Sequence, residues 1–257
     1  MIDTHCHILP MCDDGPGNWH QALELAKRAS AQGITTIVAT PHHRKGNYYN
    51  GAGQIAYLVQ RMNERLREAG IPIHVVPGQE YHLTSALRDD YASQELQTIG
   101  HTRYLLIELS SRLSPRNLQA SIRFLKDMNI LPVIVHPERF APFIENPSHI
   151  YKLVNEGVYM QLTAGSLVGQ FGSDVQRTAR LIAVRNWAHL LASDAHDLSK
   201  RGFRLREGFQ LLEEWCGTET ADRFKRNAML AVNGKSLIAG VPANPHPKRR
   251  WLQFFSV

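Results

Sequence analysis

The segment GITTIVATPHH, residues 33–43, decides the fold class, because it joins a helix end, a buried strand and two imidazoles. It begins at Gly33, a residue type that commonly ends helices, and residues 19–32 before it have the apolar spacing of a helix. Residues 34–40 form a continuous apolar run, which is typical of a strand buried on both faces of a parallel sheet. The segment therefore predicts a helix, then a buried parallel strand, then polar side chains directly after the strand.

The same alternation runs along the whole chain. Short apolar runs predict strands at residues 2–4, 34–40, 73–77, 104–109, 131–135, 158–162 and 188–192. Amphipathic stretches predict helices at residues 19–32, 55–69, 115–128, 148–156, 173–185, 203–215 and 220–232. Repeated units of this kind predict an α/β fold, with residues 1–240 forming a single-domain, distorted (β/α)7 barrel. Residues 241–257 are a basic and aromatic tail that either folds against this domain or extends to touch a membrane surface or a partner.

Composition limits the classes of protein to consider. The chain has 257 residues, of which 43% are hydrophobic, enough for a sizeable core. The net charge of +6 is spread along the chain without a nucleic-acid-binding motif, so we expect no nucleic acid partner. No apolar run approaches the roughly 18 residues of a membrane span, and residues 1–5 are too polar for a signal peptide. The cysteines have no paired spacing, which favours a reducing, cytoplasmic location.

Side chains that bind metal ions follow nearly every predicted strand. They are His5, His7, His42, Glu80, Glu108, His136, Asp194 and His196, and the first loop adds Asp14. In a parallel barrel the carboxyl ends of all strands open on one face, so we expect these side chains to converge. Each alone is explained equally well by a structural histidine or a buried ion pair. Their joint placement favours a metal site.

The chemistry of the ligands narrows the choice of metal. Imidazoles and carboxylates without a thiolate suit Mn²⁺, Zn²⁺ or Fe²⁺. Nine ligands are too many for a single ion that keeps an open position. Two or three ions bridged by a carboxylate would use all of them, so the sequence predicts a polynuclear centre.

Six motifs resemble those of the polymerase and histidinol phosphatase (PHP) superfamily, especially its bacterial tyrosine-phosphatase branch, which acts in capsule and exopolysaccharide control. They are His5-Cys6-His7, Asp13-Asp14-Gly15, Ala39-Thr40-Pro41-His42-His43, Gly78-Gln79-Glu80, His136-Pro137-Glu138-Arg139 and Ser193-Asp194-Ala195-His196. The resemblance covers almost the whole chain, up to about residue 240. It implies a barrel of the PHP type and a trinuclear centre that usually contains manganese.

The resemblance also implies how the ligands are shared. The first ion would be held by His5, His7, Glu80 and Asp194. Glu80 would bridge to a second ion, completed by Glu108 and His136, and the third would be held by Asp14, His42 and His196. Arg139 and Arg201 would bind phosphoryl oxygens as planar, bidentate donors. Residues 200–203, Lys-Arg-Gly-Phe, depart from the expected Gly-Arg-Pro-Pro, which leaves Arg201 with less support than Arg139.

Together these features predict a metal-dependent protein-tyrosine phosphatase in which a metal-activated hydroxide is the nucleophile. The resemblance implies that its substrate is the phosphorylated tail of a bacterial tyrosine kinase that controls capsule or exopolysaccharide synthesis. Contact with the membrane would then be indirect, through that kinase. Two alternatives remain open: a small-molecule phosphatase of the same superfamily, acting on histidinol phosphate or a nucleotide, and a non-catalytic metal-binding module.

The spacing of the cysteines argues against a thiolate mechanism. Conventional tyrosine phosphatases carry an arginine six residues after the catalytic cysteine. The residues at that distance from Cys6, Cys12 and Cys216 are Cys12, Asn18 and Asp222. We therefore expect all three cysteines to be dispensable for activity and Cys6 to be a packed thiol.

Four aromatic residues have less certain roles in the sequence. Tyr48 and Tyr49 follow the His42-His43 loop and either frame a phosphotyrosine ring or are ordinary loop aromatics. Trp187 and Trp215 are expected to serve in packing.

Overall fold

Short parallel strands form the centre of the computed structural model, which describes residues 1–110 and 113–245. The strands are β1 (Ile2–Cys6), β2 (Thr36–Ala39), β3 (His42–His43), β4 (His74–Pro77), β5 (Glu80–His82), β6 (Tyr104–Glu108), β7 (Leu131–Val135), β8 (Tyr159–Thr163) and β9 (Leu190–Ala192). They pair in the orders β1-β2-β4 and β3-β5-β6-β7-β8-β9, and every pairing is parallel. The predicted α/β class with parallel sheets is thus confirmed.

Two of the predicted strands, β2 and β4, are each followed by a short strand that was not predicted, β3 and β5, and these short strands belong to the second sheet. Pro41, which lacks a backbone N–H, separates β2 from β3, and Gly78 separates β4 from β5. A Cβ at Gly78 would lie 2.5 Å from Cγ1 of Val38, so the close approach of these two segments favours glycine at this position. The short strands β3 and β5 pair with His42 opposite Glu80. The interruption therefore places two predicted ligands side by side.

The first and last strands are joined at their carboxyl ends. The backbone N–H of Asp194 donates to the carbonyl of His5, and that of His7 donates to the carbonyl of Ala195, both at 2.9 Å. Ser193 donates to the buried carboxylate of Asp3 from its backbone N–H at 2.9 Å and from its hydroxyl at 2.5 Å. Burial raises the pKa of Asp3 to about 6, although these hydrogen bonds oppose the change. The ring of strands closes on this face, while the hydrogen-bond ladder itself stays divided into two sheets.

Helices cover the strands from outside. They are α1 (Trp19–Ala31), α2 (Ala52–Glu68), α3 (Leu87–Ala92), α4 (Pro115–Asp127), α5 (Ala141–Glu145), α6 (Ser148–Asn155), α7 (Ala164–Leu167), α8 (Ser173–Val184), α9 (Leu205–Cys216) and α10 (Thr218–Val232), with 3-10 turns at Ile99–His101 and Pro137–Arg139. The seven predicted helices are confirmed with small shifts at their ends. The short helices α3, α5 and α7 follow strands on the face that carries the predicted ligands, and the apolar periodicity gave no sign of them.

Local sequence explains the two clearest helix starts. The side chain of Asn18 accepts from the N–H of Gln21 at 3.0 Å at the start of α1. At the start of α4, Ser114 accepts from the N–H of Asn117 at 3.2 Å, and Pro115 occupies the first helical position.

The described part of the C-terminal region is attached to the fold. Ala243 donates its N–H to the carbonyl of Arg185, and the indole N–H of Trp187 donates to the carbonyl of Ala243, both at 2.9 Å. Trp187 is buried and Trp215 packs partly buried on the core, so the packing role predicted for both is confirmed. Residues 246–257 of the predicted tail lie outside the described residues. Among the helices that the structure describes, none has the length and apolar character needed to cross a membrane.

Candidate metal centre

All nine predicted ligands lie together at the carboxyl ends of the strands. Seven of them are buried, His136 is partly buried, and Asp14, on the loop after β1, has a substantially exposed side chain. The side chains fall into three overlapping groups whose ligand atoms lie within 4.8 Å of one another. The groups are His5, His7, Glu80 and Asp194; His42, Glu80 and Glu108; and His7, Asp14, His42 and His196.

The first group coincides with the set that the resemblance assigns to the first ion. Nε2 of His7 lies 3.2 Å from Nε2 of His5 and 3.1 Å from Oε2 of Glu80. Oδ1 of Asp194 is 3.5 Å from both imidazole nitrogens. The four side chains, from β1, the residue after it, β5 and the turn after β9, thus present their ligand atoms to one point.

The other two groups differ in detail from the predicted sharing. His42 lies between Glu80, at 2.8 Å, and Asp14, at 3.5 Å, and so belongs to both. His136 contacts Glu80 directly, with 2.6 Å between Nε2 and Oε1, but it does not complete a group with Glu108. His196 meets Asp14 at 3.2 Å, as expected for the third ion. The division of ligands among ions therefore stays a prediction.

Unsatisfied polar atoms in the centre fit a bound cation. Among the described residues, Nδ1 of His42, Oε2 of Glu80 and Nε2 of His196 are buried without a well-oriented hydrogen bond, although Nδ1 of His42 lies 2.8 Å from Oε2 of Glu80 and Nε2 of His196 lies 3.2 Å from Oδ1 of Asp14. A buried polar atom without a well-formed hydrogen bond is unfavourable, so three such atoms in one site fit a position that an ion fills. All three atoms carry lone pairs that a divalent ion could accept.

The protonation states of Glu80, His136 and His196 suit metal ligands, whereas at His7 burial lowers the pKa but the charge and hydrogen bond of Asp13 outweigh it and hold the pKa well above its usual range. Burial raises the pKa of Glu80, but the charges of His42 and His5 together with hydrogen bonds outweigh it and hold the pKa well below its usual range. Burial, followed by the charge of His7, lowers the pKa of His196 to about 4. Burial also lowers the pKa of His136, with Arg139 contributing. Ionised carboxylates and neutral imidazoles are the forms that bind metals.

Two side chains that were not predicted orient the imidazoles. The buried carboxylate of Asp13 lies 2.6 Å from Nδ1 of His7 and accepts from the backbone N–H of His42 at 2.9 Å. Oε1 of Gln161, on β8, lies 2.9 Å from Nδ1 of His5. Such partners fix the ring so that the other nitrogen faces the centre. Asp13 was visible in the Asp13-Asp14-Gly15 motif, whereas nothing in the sequence distinguished Gln161.

Glu108 has two further partners that were not predicted. Nζ of Lys45 lies 2.7 Å from Oε1 of Glu108 and 3.1 Å from Nε2 of His42. Nδ1 of His82 lies 2.8 Å from Oε2 of the same carboxylate. Lys45 therefore brings a partly exposed ammonium group to the side of the centre that β6 forms.

Both predicted arginines reach the opposite side of the centre and share one acceptor. Arg139 donates from Nη2 to Asp194 and, at 3.1 Å, to the hydroxyl of Thr163. Arg201 donates from Nη2 to Asp194 at 3.3 Å and from Nη1 to Asp14 at 3.0 Å. The guanidinium of Arg139 also lies 4.8 Å from the ring centre of Phe171. Two planar cations thus flank the carboxylates.

Backbone conformation at the centre is unusual at two ligands. His136 has a φ of 37° and Asp194 a φ of 54°, in the left-handed region that side chains disfavour. Each such residue costs on the order of 1–3 kcal/mol and persists only when its surroundings impose it. At Asp194 the imposing contact is the hydrogen bond to β1.

The cysteines are placed as expected. Cys6 is fully buried with its Sγ near the carbonyl of Ala195, and Cys12 is buried as well. Burial raises the pKa of Cys6 well above its usual range, that of Cys12 to about 12, and that of Cys216 less strongly. None of the three favours the thiolate form.

The two loop tyrosines take different positions. The ring of Tyr48 stacks beside His42, with 6.1 Å between the ring centres. Tyr49 packs against His43 and under the guanidinium of Arg44 instead. Of the two, Tyr48 adjoins a candidate ligand and Tyr49 does not, and the framing of a phosphotyrosine ring stays a prediction.

A parallel α/β fold with imidazole and carboxylate ligands gathered at its carboxyl face is the architecture of metal-dependent hydrolases. Residues 1–237 match the family described as capsular polysaccharide synthesis, CpsB/CapC, and the chain belongs to this family.

Relatives in this family span the whole chain. Tyrosine-protein phosphatase YwqE of Bacillus subtilis is 38% identical over 255 residues, which are 99% of this chain and 100% of the relative. Putative tyrosine-protein phosphatase CapC of Staphylococcus aureus is 31% identical, over 98% of both chains. A crystal structure from the work on YwqE of Bacillus subtilis and CpsB of Streptococcus pneumoniae, described as unique metal-dependent tyrosine phosphatases, has a TM-score of 0.91 and 37% identity. It covers 96% of this chain and 100% of that one.

Proposed function

We propose that this protein is a metal-dependent protein-tyrosine phosphatase whose centre is formed by the nine converging side chains. The observation that carries the proposal is the convergence itself, with two arginines on its edge. The family relationship supports the substrate class, since the relatives named above are tyrosine phosphatases. Both alternatives, a small-molecule phosphatase and a non-catalytic module, lack comparable support.

In this proposal His5, His7, Glu80 and Asp194 hold one ion. The remaining ligands, His42, Glu108, His136, Asp14 and His196, hold one or two more around Glu80. Divalent ions in such a site supply an activated water nucleophile at neutral pH and offset the charge of phosphoryl oxygens. We infer Mn²⁺ from the resemblance to the PHP superfamily, with Zn²⁺ and Fe²⁺ as alternatives that have the same ligand preferences.

Arg139 and Arg201 would bind and orient the phosphoryl group. Guanidinium groups present two parallel N–H donors, which match phosphate oxygens in a way that an ammonium group does not. Arg139 is partly buried, and its Nη2 donates to Thr163 and Asp194, so its guanidinium is oriented before an anion arrives. Arg201 is partly exposed, and its backbone N–H donates to Oδ1 of Asp197 at 3.2 Å, which holds the loop in place. Together they would hold an anion above Asp194.

The natural substrate in this proposal is the phosphorylated tail of a bacterial tyrosine kinase that controls polysaccharide synthesis. The family description links the chain to capsular polysaccharide synthesis, which supports this choice of partner. A cytoplasmic location follows from such a partner and from the free cysteines.

The test combines metal analysis with hydrolysis of a phosphotyrosine peptide. We would purify the protein without chelators, measure bound metals by elemental analysis, and assay the peptide with added Mn²⁺. His136→Ala should lower both metal content and turnover, whereas Arg139→Ala should lower turnover at unchanged metal content. Arg139→Lys is the matched control for charge without the planar fork, and we expect it to recover little activity.

Other results would change the proposed substrate or contradict the proposed function. Bound metal with turnover of histidinol phosphate but not of the peptide would indicate the small-molecule phosphatase. Bound metal without turnover of either substrate would indicate a non-catalytic module. A protein that binds no transition metal would contradict the proposed centre altogether.

A further inference from the structure

Two adjoining cavities open beside the candidate centre, between the loops that follow β5 and β6. The first, about 410 Å³, is lined mainly by apolar and small polar side chains of these loops and of α4, among them Leu83, Leu87, Leu113, Ser121 and Phe124. The second, about 320 Å³, is lined by Arg88, Arg116, Gln119, Ala120, Arg123, Phe124 and Asp127. The cavities share Arg88, Ala120 and Phe124 and therefore form one groove, called here the α3–α4 groove.

The groove starts next to the centre. Leu83 donates its N–H to the carbonyl of Glu108 at 2.9 Å, which ties the loop after β5 to the end of β6. Ser110, which also lines the first cavity, is two residues beyond Glu108, so their Cα atoms lie at most about 7 Å apart. An extended polypeptide advances about 3.3 Å per residue. A chain whose phosphotyrosine sits in the centre would therefore enter the groove within a few residues.

Helix α4 determines the charge of the second cavity. Arg116, Ala120 and Arg123 follow one another at the i, i+4, i+7 spacing that places side chains on one helix face. Arg88 joins them from α3, where its guanidinium lies 4.3 Å from the ring centre of Phe124. Against these three cations, Asp127 is the one carboxylate among the described residues that line the groove.

Of these three arginines, Arg88 contacts the ring of Phe124, and none is held by an acidic residue of the described part of the chain. No ion pair joins Arg88, Arg116 or Arg123 to another residue within 1–110 and 113–245, and all three are exposed. Elsewhere on the surface, arginines such as Arg61 and Arg177 are paired with acidic residues three positions away. Free guanidinium groups beside an apolar cavity match a segment that carries carboxylates next to a large apolar side chain.

We propose that the α3–α4 groove binds the polypeptide that flanks the phosphotyrosine of the substrate. One apolar side chain of that segment enters the cavity against Phe124, and neighbouring Asp or Glu residues pair with Arg88, Arg116 and Arg123. The inference rests on the proposed phosphatase function and adds a preference for acidic sequence around the phosphotyrosine. It makes the groove a determinant of specificity that leaves the chemistry of the centre unchanged.

The test compares phosphotyrosine peptides with acidic and with uncharged flanks, with acid placed on either side of the phosphotyrosine. p-Nitrophenyl phosphate, which has no flanks, reports on the centre alone. The variant is Arg116→Glu/Arg123→Glu, at exposed positions of α4. The matched control is Arg67→Glu/Arg226→Glu, which makes the same change in charge at exposed positions outside the groove.

We expect the groove variant to raise KM for the preferred acidic peptide about tenfold, with kcat nearly unchanged. Turnover of p-nitrophenyl phosphate should stay at the wild-type level, and the control variant should resemble the wild type on every substrate. The preference for acidic peptide should also weaken at high salt, because exposed charges are screened. Ser121→Phe, which fills the cavity, should impair only peptides with a large apolar side chain near the phosphotyrosine.

Equal KM values for acidic and uncharged peptides in the wild type, or an unchanged KM in the groove variant, would overturn this inference while leaving the phosphatase proposal intact. Failure of the wild type to hydrolyse any aryl phosphate would instead remove the proposed function. Binding of a fluorescent acidic peptide with unphosphorylated tyrosine, measured by anisotropy, tests the groove even then. Equal affinity of the wild type and the groove variant for that peptide would rule the groove out.

Discussion

Replacing Asp13 with Asn removes the charge that orients His7 while preserving the shape of the side chain. The carboxylate accepts three hydrogen bonds, from Nδ1 of His7 at 2.6 Å and from the backbone N–H groups of His42 and Gly15 at 2.9 Å. An amide can accept from one side only, so its NH₂ group must face at least one of these donors. Weakening a charged hydrogen bond and opposing one donor together cost about 2 kcal/mol.

This cost should appear as weaker metal binding. A loss of about 2 kcal/mol corresponds to roughly a 30-fold rise in the dissociation constant, within the range found when the partner of a metal-binding histidine is removed. Competition with a chromophoric chelator measures the constant directly. Asp222→Asn, at a surface carboxylate paired with Lys225, is the control and should bind metal like the wild type.

The same experiment can refute the reasoning. If Asp13→Asn binds metal within twofold of the wild type, the carboxylate does not orient a ligand. Thermal unfolding in the presence of chelator distinguishes a loss of metal affinity from a loss of folding stability, because a general loss of stability would lower the melting temperature without metal as well. A variant that melts much earlier in chelator but binds metal normally would assign Asp13 a role in folding alone.

Three further predictions concern residues around the centre and in the core. The partly exposed ammonium of Lys45 lies beside two candidate ligands, and we expect it to attract the anionic substrate. Lys45→Met should then lower kcat/KM for an aryl phosphate about fivefold at unchanged metal content, since such an ammonium contributes about 1 kcal/mol, and a loss of metal would contradict this role. Burial, followed by the charge of Arg223, lowers the pKa of His189 to about 4, so the stability that its neutral form provides is present above pH 6.5 and is lost as the pH falls toward 4. Between pH 7 and pH 5 the wild type should therefore lose about 2 kcal/mol more in urea unfolding than His189→Asn, and equal losses would refute the shift. Replacing Cys6, Cys12 or Cys216 with serine, one at a time, should leave most of the phosphatase activity. Complete loss of activity in any of these variants would support a thiolate mechanism.

Much of the fold and of the ligand set could be predicted because both depend on local sequence. Runs such as residues 131–135 are apolar throughout, and buried parallel strands need that pattern on both faces. Histidines and carboxylates directly after such runs must lie on one face once the strands are parallel, whatever the helices do. That geometric constraint is why nine ligands from seven separate segments could be placed together.

The contacts that refine the site were not visible in the same way. Gln161 lies inside β8 and reaches His5 only because the ring of strands brings the two together across 156 residues. Lys45 looks like a surface lysine in the sequence, and its contact with Glu108 depends on the turn after β3. The division of His42 and His136 between groups depends on side-chain rotamers, which sequence spacing does not specify.

The joint between β1 and the turn after β9 also bears on how the protein folds. Asp3 and Ser193 are 190 residues apart in the sequence, so the contact that closes the ring of strands joins residues separated by most of the chain. Closing such a loop is entropically costly and is favoured only when the intervening units are already packed. His5, His7 and Asp194 belong to this joint, and we therefore expect the first ligand group to be assembled late in folding. Metal affinity would thereby act as a reporter of completed folding, and partly folded chains would bind metal poorly even with most strands in place.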